Sequence, residues 1–259
     1  MIGEAADANF LVHAAWAQSR VPGMIVSSTR GVTVVDSGLA CDTFNCILAA
    51  RLTAETAAAA IAAALAHFAG VGRPFSWWVG PSDRPADLGA RLEAAGLAAA
   101  EGELAMSASL GALPAADAPP AELVIERVAT PAQLSDFAAV NAANWTPPDT
   151  NVLRFYALAA SVLLSRESPL RFFVGRVGRE AVATLELAIG GGVAGIYNVA
   201  TVDRFRRRGF ASAMLRRALE EARAAGLRNA FLQASPDGVG VYRRQGFAQF
   251  GTITEYKPP

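Results

Sequence analysis

Hydrophobic and polar residues follow one another in the C-terminal half of the chain in a pattern that predicts strands and helices in turn. Short runs rich in β-branched and aromatic residues predict strands, which we place at 123–126, 171–177, 181–189, 195–202, 229–233 and, as a short pair, 247–256. Apolar residues at helical spacing predict helices, which we place at 131–143, from about 150, at 209–225 and at 238–245. The helix from about 150 is expected to carry Phe155, Leu158 and Val162 on one face.

Capping signals support two of these helices. Thr130, Pro131 and Gln133 have the form of an N-cap, a first-turn proline and a capping-box glutamine. Gly226 is expected to stop the helix from 209. That helix also carries two i,i+4 pairs on its predicted solvent face, which are Arg216/Glu220 and Arg217/Glu221.

The N-terminal half repeats the same order of elements more faintly. Its pattern predicts strands and a helix, which we place at 32–35, 43–48, 53–67 (the helix) and 76–79. The segment 87–97 then echoes 240–247, one domain length away, which predicts an internal duplication. A small, proline-rich stretch predicts a linker at 112–121 between an N-terminal domain, 1–111, and a C-terminal domain, 122–259.

Charge and composition narrow the function. The chain carries 23 basic and 23 acidic residues and no net charge, which argues against a general nucleic-acid binder. Its alanine-rich run at 54–69 is shorter than a membrane span, so no membrane association is expected. Glu4 and Asp7 precede any apolar run, so we expect no secretory signal and a cytoplasmic protein.

The few cysteines and histidines predict no metal site. Cys41 and Cys46 lack metal-ligand spacing, and we expect them to be small core residues rather than a disulfide. His13 and His67 stand far apart in the sequence, and we expect packing or surface roles for both.

The segment 198–211 is where the sequence points to chemistry. An apolar run ends in a basic turn that contains Gly209, and an amphipathic helix follows. The first amides of a helix lack intrahelical acceptors and lie at the positive end of its dipole, so they bind anions. Gly209 lets the backbone approach a ligand closely, and four arginines add donors suited to phosphate, namely Arg204, Arg206, Arg207 and Arg208. This pattern predicts a pyrophosphate site.

Two blocks in this half resemble the GNAT superfamily of acyl-CoA-dependent N-acyltransferases. Arg206-x-x-Gly209-x-Ala211 matches the superfamily's R/Q-x-x-G-x-G/A signature. The segments 232–236 and 242–247 are similar to its later strand–helix unit, which ends in Tyr-x-x-x-Gly-Phe. The resemblance covers about 121 to the C-terminus. It implies an α/β (α+β) GNAT fold with a mixed central sheet flanked by helices, which the internal repeat suggests is duplicated.

The resemblance implies that only the C-terminal copy binds the cosubstrate, acetyl-CoA. The N-terminal copy lacks the R-x-x-G-x-G/A turn, and Leu92 stands where the other copy has Tyr242. The residues expected to contact coenzyme A are Thr201, Val202, Arg206, Arg207, Arg208, Gly209, Phe210, Ala211, Ser212 and Ser235. Ser235 stands where the family often has asparagine, and Asp203 where proline is common.

The resemblance also implies catalytic roles. The backbone amide of Val199 would polarise the thioester carbonyl, and Tyr242 would protonate the leaving thiolate. Glu186 is either the general base or a solvated strand residue. Asn198 either contacts the amine or makes a structural hydrogen bond. The acceptor groove is expected between the halves, lined by Trp145, Asp149 and Asn151. The pair Trp77 and Trp78 either joins this lining or belongs to the core.

These expectations describe a GNAT-family N-acetyltransferase (EC 2.3.1.-) without a metal. It would transfer an acetyl group directly to a small-molecule or peptide amine in a ternary complex. The alternative is a non-catalytic acyl-CoA-binding sensor or interaction protein. An ATP-binding protein is a third reading, against which the lack of a P-loop motif weighs.

Overall fold

The computed structural model describes residues 1–100, 102–115 and 118–259. In these residues the chain forms seven α-helices: α1 (Ile2–Ala15), α2 (Ala54–Val71), α3 (Leu88–Ala94), α4 (Pro131–Ala142), α5 (Thr150–Leu163), α6 (Phe210–Ala224) and α7 (Val239–Arg244). They alternate with twelve strands: β1 (Ile25–Thr29), β2 (Val32–Asp36), β3 (Cys46–Leu48), β4 (Ser76–Val79), β5 (Ala98–Ala99), β6 (Glu103–Ser109), β7 (Leu123–Arg127), β8 (Leu170–Val177), β9 (Glu180–Gly190), β10 (Val193–Thr201), β11 (Asn229–Ala234) and β12 (Ala248–Lys257).

The strands form one mixed sheet that runs through both halves. Its order is β1-β2-β3-β4-β12-β6-β11-β10-β9-β8-β7, with β5 paired to the side of β12. Strands β3 and β4 are parallel, as are β10 and β11, and the other pairs in the described residues are antiparallel. Helices pack on the sheet, so the expected mixed sheet flanked by helices is confirmed.

The two halves contribute strands to each other. β6 precedes the predicted linker, yet it lies between β11 and β12 and pairs with both. β12, near the C-terminus, also pairs with β4 of the N-terminal half. A boundary at 111 therefore cuts the chain between a strand and its own sheet partners. Residues 116 and 117 of the predicted linker lie outside the described residues, and the division into domains stays a prediction.

Both halves contain the same sequence of elements around a parallel crossover. In the C-terminal half, antiparallel β9 and β10 are followed by α6, the parallel strand β11 and α7. In the N-terminal half, antiparallel β2 and β3 are followed by α2, the parallel strand β4 and α3. This correspondence agrees with the predicted duplication.

Helix α1 leaves its own half and packs on β9 and β10. Asn9, which is fully buried, fixes this contact by donating to the carbonyl oxygens of Ala188, Gly190 and Val193, each at 3.0 Å. These acceptors lie at the β9–β10 turn, so one amide side chain holds the helix against the centre of the sheet. The sequence pattern contains no signal for this docking.

Apolar residues cover both faces of the sheet in the C-terminal half. One face of α6 is fully buried, mainly against β8, β9 and β10, through Phe210, Met214, Leu215, Ala218, Leu219 and Ala222. Helices α4 and α5 cover the opposite face with Phe137, Phe155 and Tyr156. Burial of each large apolar side chain contributes about 1.5–3 kcal/mol, so this packing makes the sheet a rigid support for the loops at its edges.

Helix α2 corrects the expectation that the alanine-rich run is too short for a membrane span. It extends to Val71, four residues beyond the predicted end, and its 18 residues have a mean hydropathy of 1.4, which is enough by length and composition alone. In the fold, its buried residues Ala57, Ala60, Ile61, Ala64 and Phe68 pack into the core of the N-terminal half. Only 28% of its 18 residues are buried, so α2 packs on the core along one face.

Other local predictions differ in detail. The region 247–256 forms one strand with a bulge between Gln249 and Gly251, not two strands. Leu158 does not share the buried face of α5, since it is 51% exposed. Arg217 pairs with Glu221 as predicted, at 3.6 Å, whereas Arg216 donates to the carbonyl of Pro114 at 2.8 Å. The capping box of α4 is confirmed.

Candidate active site

The basic turn after the C-terminal end of β10 leads into an uncapped helix N-terminus. β10 ends at Thr201, a short 3-10 helix covers Asp203–Phe205, and α6 begins at Phe210. Arg207 and Gly209 both have positive φ, 60° and 80°, so the chain turns sharply before the helix. No side chain among the described residues caps α6, so its first amides remain available to an anion.

Carboxylates already partner most of the arginines in this turn. Arg204 pairs with Glu180, Arg208 with Glu122 at 2.8 Å, and Arg206 with Asp203 at 2.9 Å. Arg206 also donates to the carbonyl of Thr201 at 3.1 Å, which ties the turn to the end of β10. All these arginines are at least partly exposed, so the pairs are weak and leave the guanidinium groups able to reorient.

The corresponding helix of the N-terminal half is closed to anions. The Thr53 hydroxyl accepts from the Thr56 amide at 3.3 Å and caps α2, and Glu55 adds a negative charge in the first turn. The Thr53 hydroxyl occupies one of the amides that an anion would bind. The negative charge of Glu55 would repel an anion from this helix N-terminus. This contrast agrees with the expectation that only the C-terminal copy binds a phosphorylated ligand.

A cavity of about 500 Å³ adjoins the turn. Its lining includes Arg208, Gly209 and Ser212 of the turn and helix, together with Pro119 and Pro120. Pro120 lies against the backbone, since a Cβ built on Gly209 would be 3.6 Å from its Cγ. The segment before β7 therefore forms one wall beside the N-terminus of α6.

Strands β10 and β11 separate beyond their first few residues. Their parallel pairing covers only Ala194–Ile196 on β10 and Ala230–Leu232 on β11. Against β9, the register of β10 shifts between Tyr197 and Ala200, and Asn198 has a left-handed φ of 51°. This bulge takes Asn198 and Val199 out of the regular ladder, at the point where the neighbouring strand diverges. β10 and β11 therefore splay apart just before Val199.

A second cavity, of about 460 Å³, lies between the two halves and reaches this gap. Val199 and Gln233, which face the gap from β10 and β11, both line it. Both halves supply its aromatic walls, which include Phe10, Phe44, Trp78, Trp145, Phe155 and Phe172. Polar side chains also line it, including two bonded groups: Glu186 with His13 and Asn198, which we call the polar end, and Lys257 with Asp42 and Glu255.

Glu186 lies at this polar end. It is 2% exposed, so the solvated alternative for this residue is wrong. One carboxylate oxygen, Oε1, lies 2.7 Å from Nδ1 of His13. The other, Oε2, accepts from the side-chain amide of Asn198 at 2.9 Å, and the same amide lies 3.2 Å from the Tyr156 hydroxyl. Burial raises the pKa of Tyr156 well above its usual range, and the negative charge of Glu186 adds to this.

His13 is packed, as expected, but it also contacts a carboxylate at the cavity. It comes from α1 of the other half, lines the cavity and bonds Glu186. Its ring stacks on Tyr197 with centroids 3.9 Å apart and 5° between the planes. Sequence reasoning missed it because its position depends on the docking of α1. His67 pairs instead with Asp36 at 2.9 Å, away from the cavity.

Two glutamine side chains at the cavity each have a buried atom without a hydrogen-bond partner among the described residues. These atoms are Oε1 of Gln18, a residue that is 3% exposed, and Nε2 of Gln233. An unpartnered buried polar atom costs about 1–3 kcal/mol, so such atoms occur where a ligand or water completes the bond.

Tyr242 lies on α7, beyond the end of β11 and beside Phe247, with ring centroids 6.2 Å apart. Burial raises the pKa of its phenol to about 12, with a smaller contribution from the charge of Glu103. It does not line the cavity between the halves. Ser235 is exposed in the turn between β11 and α7, where its carbonyl accepts from the Gly238 amide at 2.9 Å.

Of the residues expected to line the acceptor groove, some line the cavity and others do not. Trp145 and Trp78 line the cavity, whereas Trp77 is fully buried in the core of the N-terminal half. Asp149 is the N-cap of α5 and accepts from the Asn151 amide at 2.8 Å. Asp149 and Asn151 are outside the cavity lining, so their expected role is not supported.

The cysteines are free and buried, as expected. Burial raises the pKa of the Cys41 thiol to about 11 and that of Cys46 to about 12. Neither thiol is therefore a nucleophile near neutral pH.

Comparisons with known proteins point to one superfamily. The model of the GNAT acetyltransferase family matches residues 134–247. A GCN5-related N-acetyltransferase from Kribbella flavida superposes with a TM-score of 0.72 at 19% identity, over 97% of this chain and 95% of that one. One from Sphaerobacter thermophilus gives 0.63 at 16% identity, over 99% and 92%. At these identities the likeness establishes the fold, here over both halves. No curated protein matches the sequence.

Proposed function

Because residues 134–247 match the model of the GNAT acetyltransferase family, we propose that the protein transfers an acetyl group from acetyl-CoA to an amine in a ternary complex. The observation that carries the proposal is the gap between β10 and β11, which lies between an open helix N-terminus and a cavity. Acetyl-CoA enters the gap from the side of the helix N-terminus, and the acceptor amine enters it from the cavity. The two reactants then meet at the bulge of β10.

Coenzyme A is held by the turn before α6. The amides of 207–212 bind the pyrophosphate, assisted by Arg206, and the adjoining cavity of about 500 Å³ has room for the nucleotide end. The pantetheine arm runs along Thr201 and Val202 and past Ser235 into the gap. The uncapped α6 and the positive φ of Gly209 support this assignment.

The reaction takes place where the strands separate. The Val199 amide donates to the thioester oxygen as negative charge develops there, an interaction that contributes about 2.7–4 kcal/mol in comparable sites. Asn198 and Glu186 form the polar end of the acceptor cavity. Tyr242 donates a hydrogen bond to the leaving thiolate, and its raised pKa favours the protonated phenol throughout the working range of an enzyme.

The acceptor is a small-molecule amine or the amine of a peptide. A cavity of about 460 Å³ with aromatic walls suits an amine with an apolar body. Gln18 and Gln233 offer one acceptor and one donor to uncharged polar groups on the same molecule. A net charge of zero does not favour nucleic acid as a partner. The free, buried cysteines suit the cytoplasm, where we place the reaction.

Calorimetric titration with acetyl-CoA tests the cosubstrate site. We expect micromolar binding by the natural protein and its loss in Gly209→Glu, which puts a carboxylate at the helix N-terminus. The matched control is Gly226→Glu, because Gly226 also has positive φ and open surroundings but lies at the other end of α6. Equal binding by both variants, or none by the natural protein, would contradict the proposal.

Thiol release with a panel of amines separates the enzyme from the alternative, an acyl-CoA-binding protein without turnover. The panel contains phenylalaninamide, tyramine and benzylamine, which combine a primary amine with an aromatic body. Binding of acetyl-CoA together with amine-dependent thiol release supports the transferase. Binding without release from any amine supports the alternative.

A further inference from the structure

The polar end of the acceptor cavity contains a histidine and a carboxylate in direct contact, contributed by different halves of the chain. His13 comes from α1 and Glu186 from β9, and Nδ1 lies 2.7 Å from Oε1. A carboxylate at Nδ1 holds the imidazole in the tautomer that has its proton on Nδ1. The lone pair is then on Nε2, the nitrogen that remains for a ligand.

The ring is held in a fixed plane. It stacks on Tyr197, with centroids 3.9 Å apart, and Phe10 lies beside the pair, 6.0 Å from His13 and 6.2 Å from Tyr197. Its helix is anchored to the sheet by the three hydrogen bonds of Asn9, one turn earlier. The imidazole is therefore positioned from two directions, as a group that takes part in a reaction must be.

Glu186 is less suited to take a proton from a ligand. Both of its oxygens are engaged, Oε1 with His13 and Oε2 with Asn198, and its side chain is 3% exposed. Both residues line the cavity, but the side chain of His13 is 23% exposed, and its Nε2 has no hydrogen bond among the described residues. Of the two, the imidazole is the group that a bound amine reaches.

We propose that His13 is the general base that takes the proton from the acceptor amine, and that Glu186 is its positioning residue. The inference rests on the proposed transferase function. It also assigns a role to the N-terminal half, which supplies a catalytic group without binding the cosubstrate. The alternative, a purely structural pair, makes no use of the nitrogen left free.

The proton transfers balance as follows. The neutral amine nitrogen attacks the thioester carbonyl carbon, a C–N bond forms, and the carbonyl electron pair moves to the oxygen near Val199. One amine proton passes to Nε2 of His13. The oxyanion collapses, the C–S bond breaks, and the thiolate takes a proton from Tyr242. Solvent then takes the proton from His13 and returns one to Tyr242, so the products are an amide and free thiol.

Other titratable groups surround this pair and must be considered in any pH profile. Glu186 on β9 and Tyr197 on β10 contact the imidazole, and Tyr156 on α5 faces the same polar end. Further along the cavity, Lys257 pairs with Asp42 at 2.8 Å and Glu255 at 3.1 Å. Burial lowers the pKa of Lys257, but its hydrogen bonds to both carboxylates outweigh this and raise it.

The first experiment measures the tautomer, which needs no substrate. The chain contains only two histidines, so long-range proton–nitrogen NMR resolves both imidazoles, and His67→Asn assigns them. We expect neutral His13 to carry its proton on Nδ1, and Glu186→Gln to release this preference. A proton on Nε2 in the natural protein would overturn the proposal, because that nitrogen then has no lone pair to offer.

The second experiment measures amine-dependent thiol release from acetyl-CoA with the amine panel. We expect His13→Asn, which keeps a donor toward Glu186, to lower kcat by 10²–10⁴-fold, the usual contribution of a general base. Calorimetric affinity for acetyl-CoA stays unchanged. His67→Asn, the matched control, keeps both the rate and the fall in kcat/KM at acid pH, whereas His13→Asn loses that fall.

The outcomes distinguish failure of this inference from failure of the transferase function. If the natural protein turns over and His13→Asn keeps its rate and pH profile, the inference is wrong and the function stands. If the protein binds acetyl-CoA and no amine in the panel gives thiol release, the pair is structural and both fail. A variant that loses rate together with its melting temperature counts against a catalytic role, unless Nδ1 protonation is also observed.

Discussion

The hydroxyl of Tyr197 donates a 2.8 Å hydrogen bond to Oδ1 of Asn9, across 188 residues of sequence. The ring of the same tyrosine supports the imidazole of His13, one turn further along α1. Burial raises the pKa of the Tyr197 phenol well above its usual range, so it remains a donor. This single contact joins the docking of the N-terminal helix to the geometry of the candidate active site.

Gly195 makes this contact possible, and substitution there should disrupt it. A Cβ on Gly195 would lie 1.8 Å from Oδ1 of Asn9 and 2.5 Å from the Tyr197 ring. We expect Gly195→Ala to lower the free energy of unfolding by about 1–3 kcal/mol, measured by urea denaturation. Gly70→Ala, in α2 with open surroundings, is the control and should be neutral or stabilising.

A double variant identifies the cause. If the clash with Asn9 is responsible, Gly195→Ala should cost less in an Asn9→Ala background than in the natural protein. Equal costs in the two backgrounds would assign the effect elsewhere.

We expect Tyr242 to assist departure of the thiolate without contributing to the binding of acetyl-CoA. Tyr242→Phe should lower kcat by about 100-fold, the lower range for a general acid, and leave the affinity for acetyl-CoA unchanged. Because its pKa is raised to about 12, the phenol stays protonated below that pH, so no alkaline loss of activity below pH 10 should come from this residue. Tyr256→Phe, which changes a hydroxyl lying against Gly89, serves as the control.

A fall in kcat/KM at alkaline pH that Tyr242→Phe abolishes would contradict this assignment. So would a loss of acetyl-CoA affinity in Tyr242→Phe as large as its loss of rate.

Asp83 should make stability depend on pH. Burial raises its pKa to about 6, and the nearby charge of Asp7 adds to this, while the Gly80 amide and Arg51 oppose it. The folded state therefore holds a proton that the unfolded state releases near pH 4, and stability falls as the pH rises from about 4 to 6. Two pKa units correspond to about 3 kcal/mol.

Asp83→Asn removes this ionisation. Relative to the natural protein, the variant should gain stability across the same window, by up to about 3 kcal/mol in urea unfolding at several pH values. A stability difference that stays constant from pH 4 to 7 would show that Asp83 titrates normally.

The position of β6 between β11 and β12 predicts how fragments of the chain unfold. A fragment of 112–259 lacks β6, so β11 and β12 lose the strand between them. We expect it to lack the cooperative urea unfolding of the whole chain, because the exposed edges of both strands lose their partners. The fragment 103–259, which keeps β6, should unfold more cooperatively. Equal unfolding curves for the two fragments would support a boundary at 111.

Local patterns determined most of the secondary structure and the cosubstrate side of the site. The strand, basic turn and helix of 195–225 are contiguous in sequence, so amphipathic spacing and the positive φ of Gly209 specify them without distant contacts. The capping box of Thr130 and the buried face of α6 are local for the same reason. The α/β fold and the two motif blocks follow from such signals.

Tertiary structure alone decided the acceptor side. His13 and Glu186 are 173 residues apart, and they meet because Asn9 binds α1 to the β9–β10 turn. β6 enters the sheet of the other half through backbone hydrogen bonds, which do not depend on side-chain identity. Periodicity reports which face of an element is buried, but not which distant element covers it. The turn before α6, where we propose that the cosubstrate binds, could therefore be predicted from the sequence, whereas the contact of His13 with Glu186 could be found only in the folded chain.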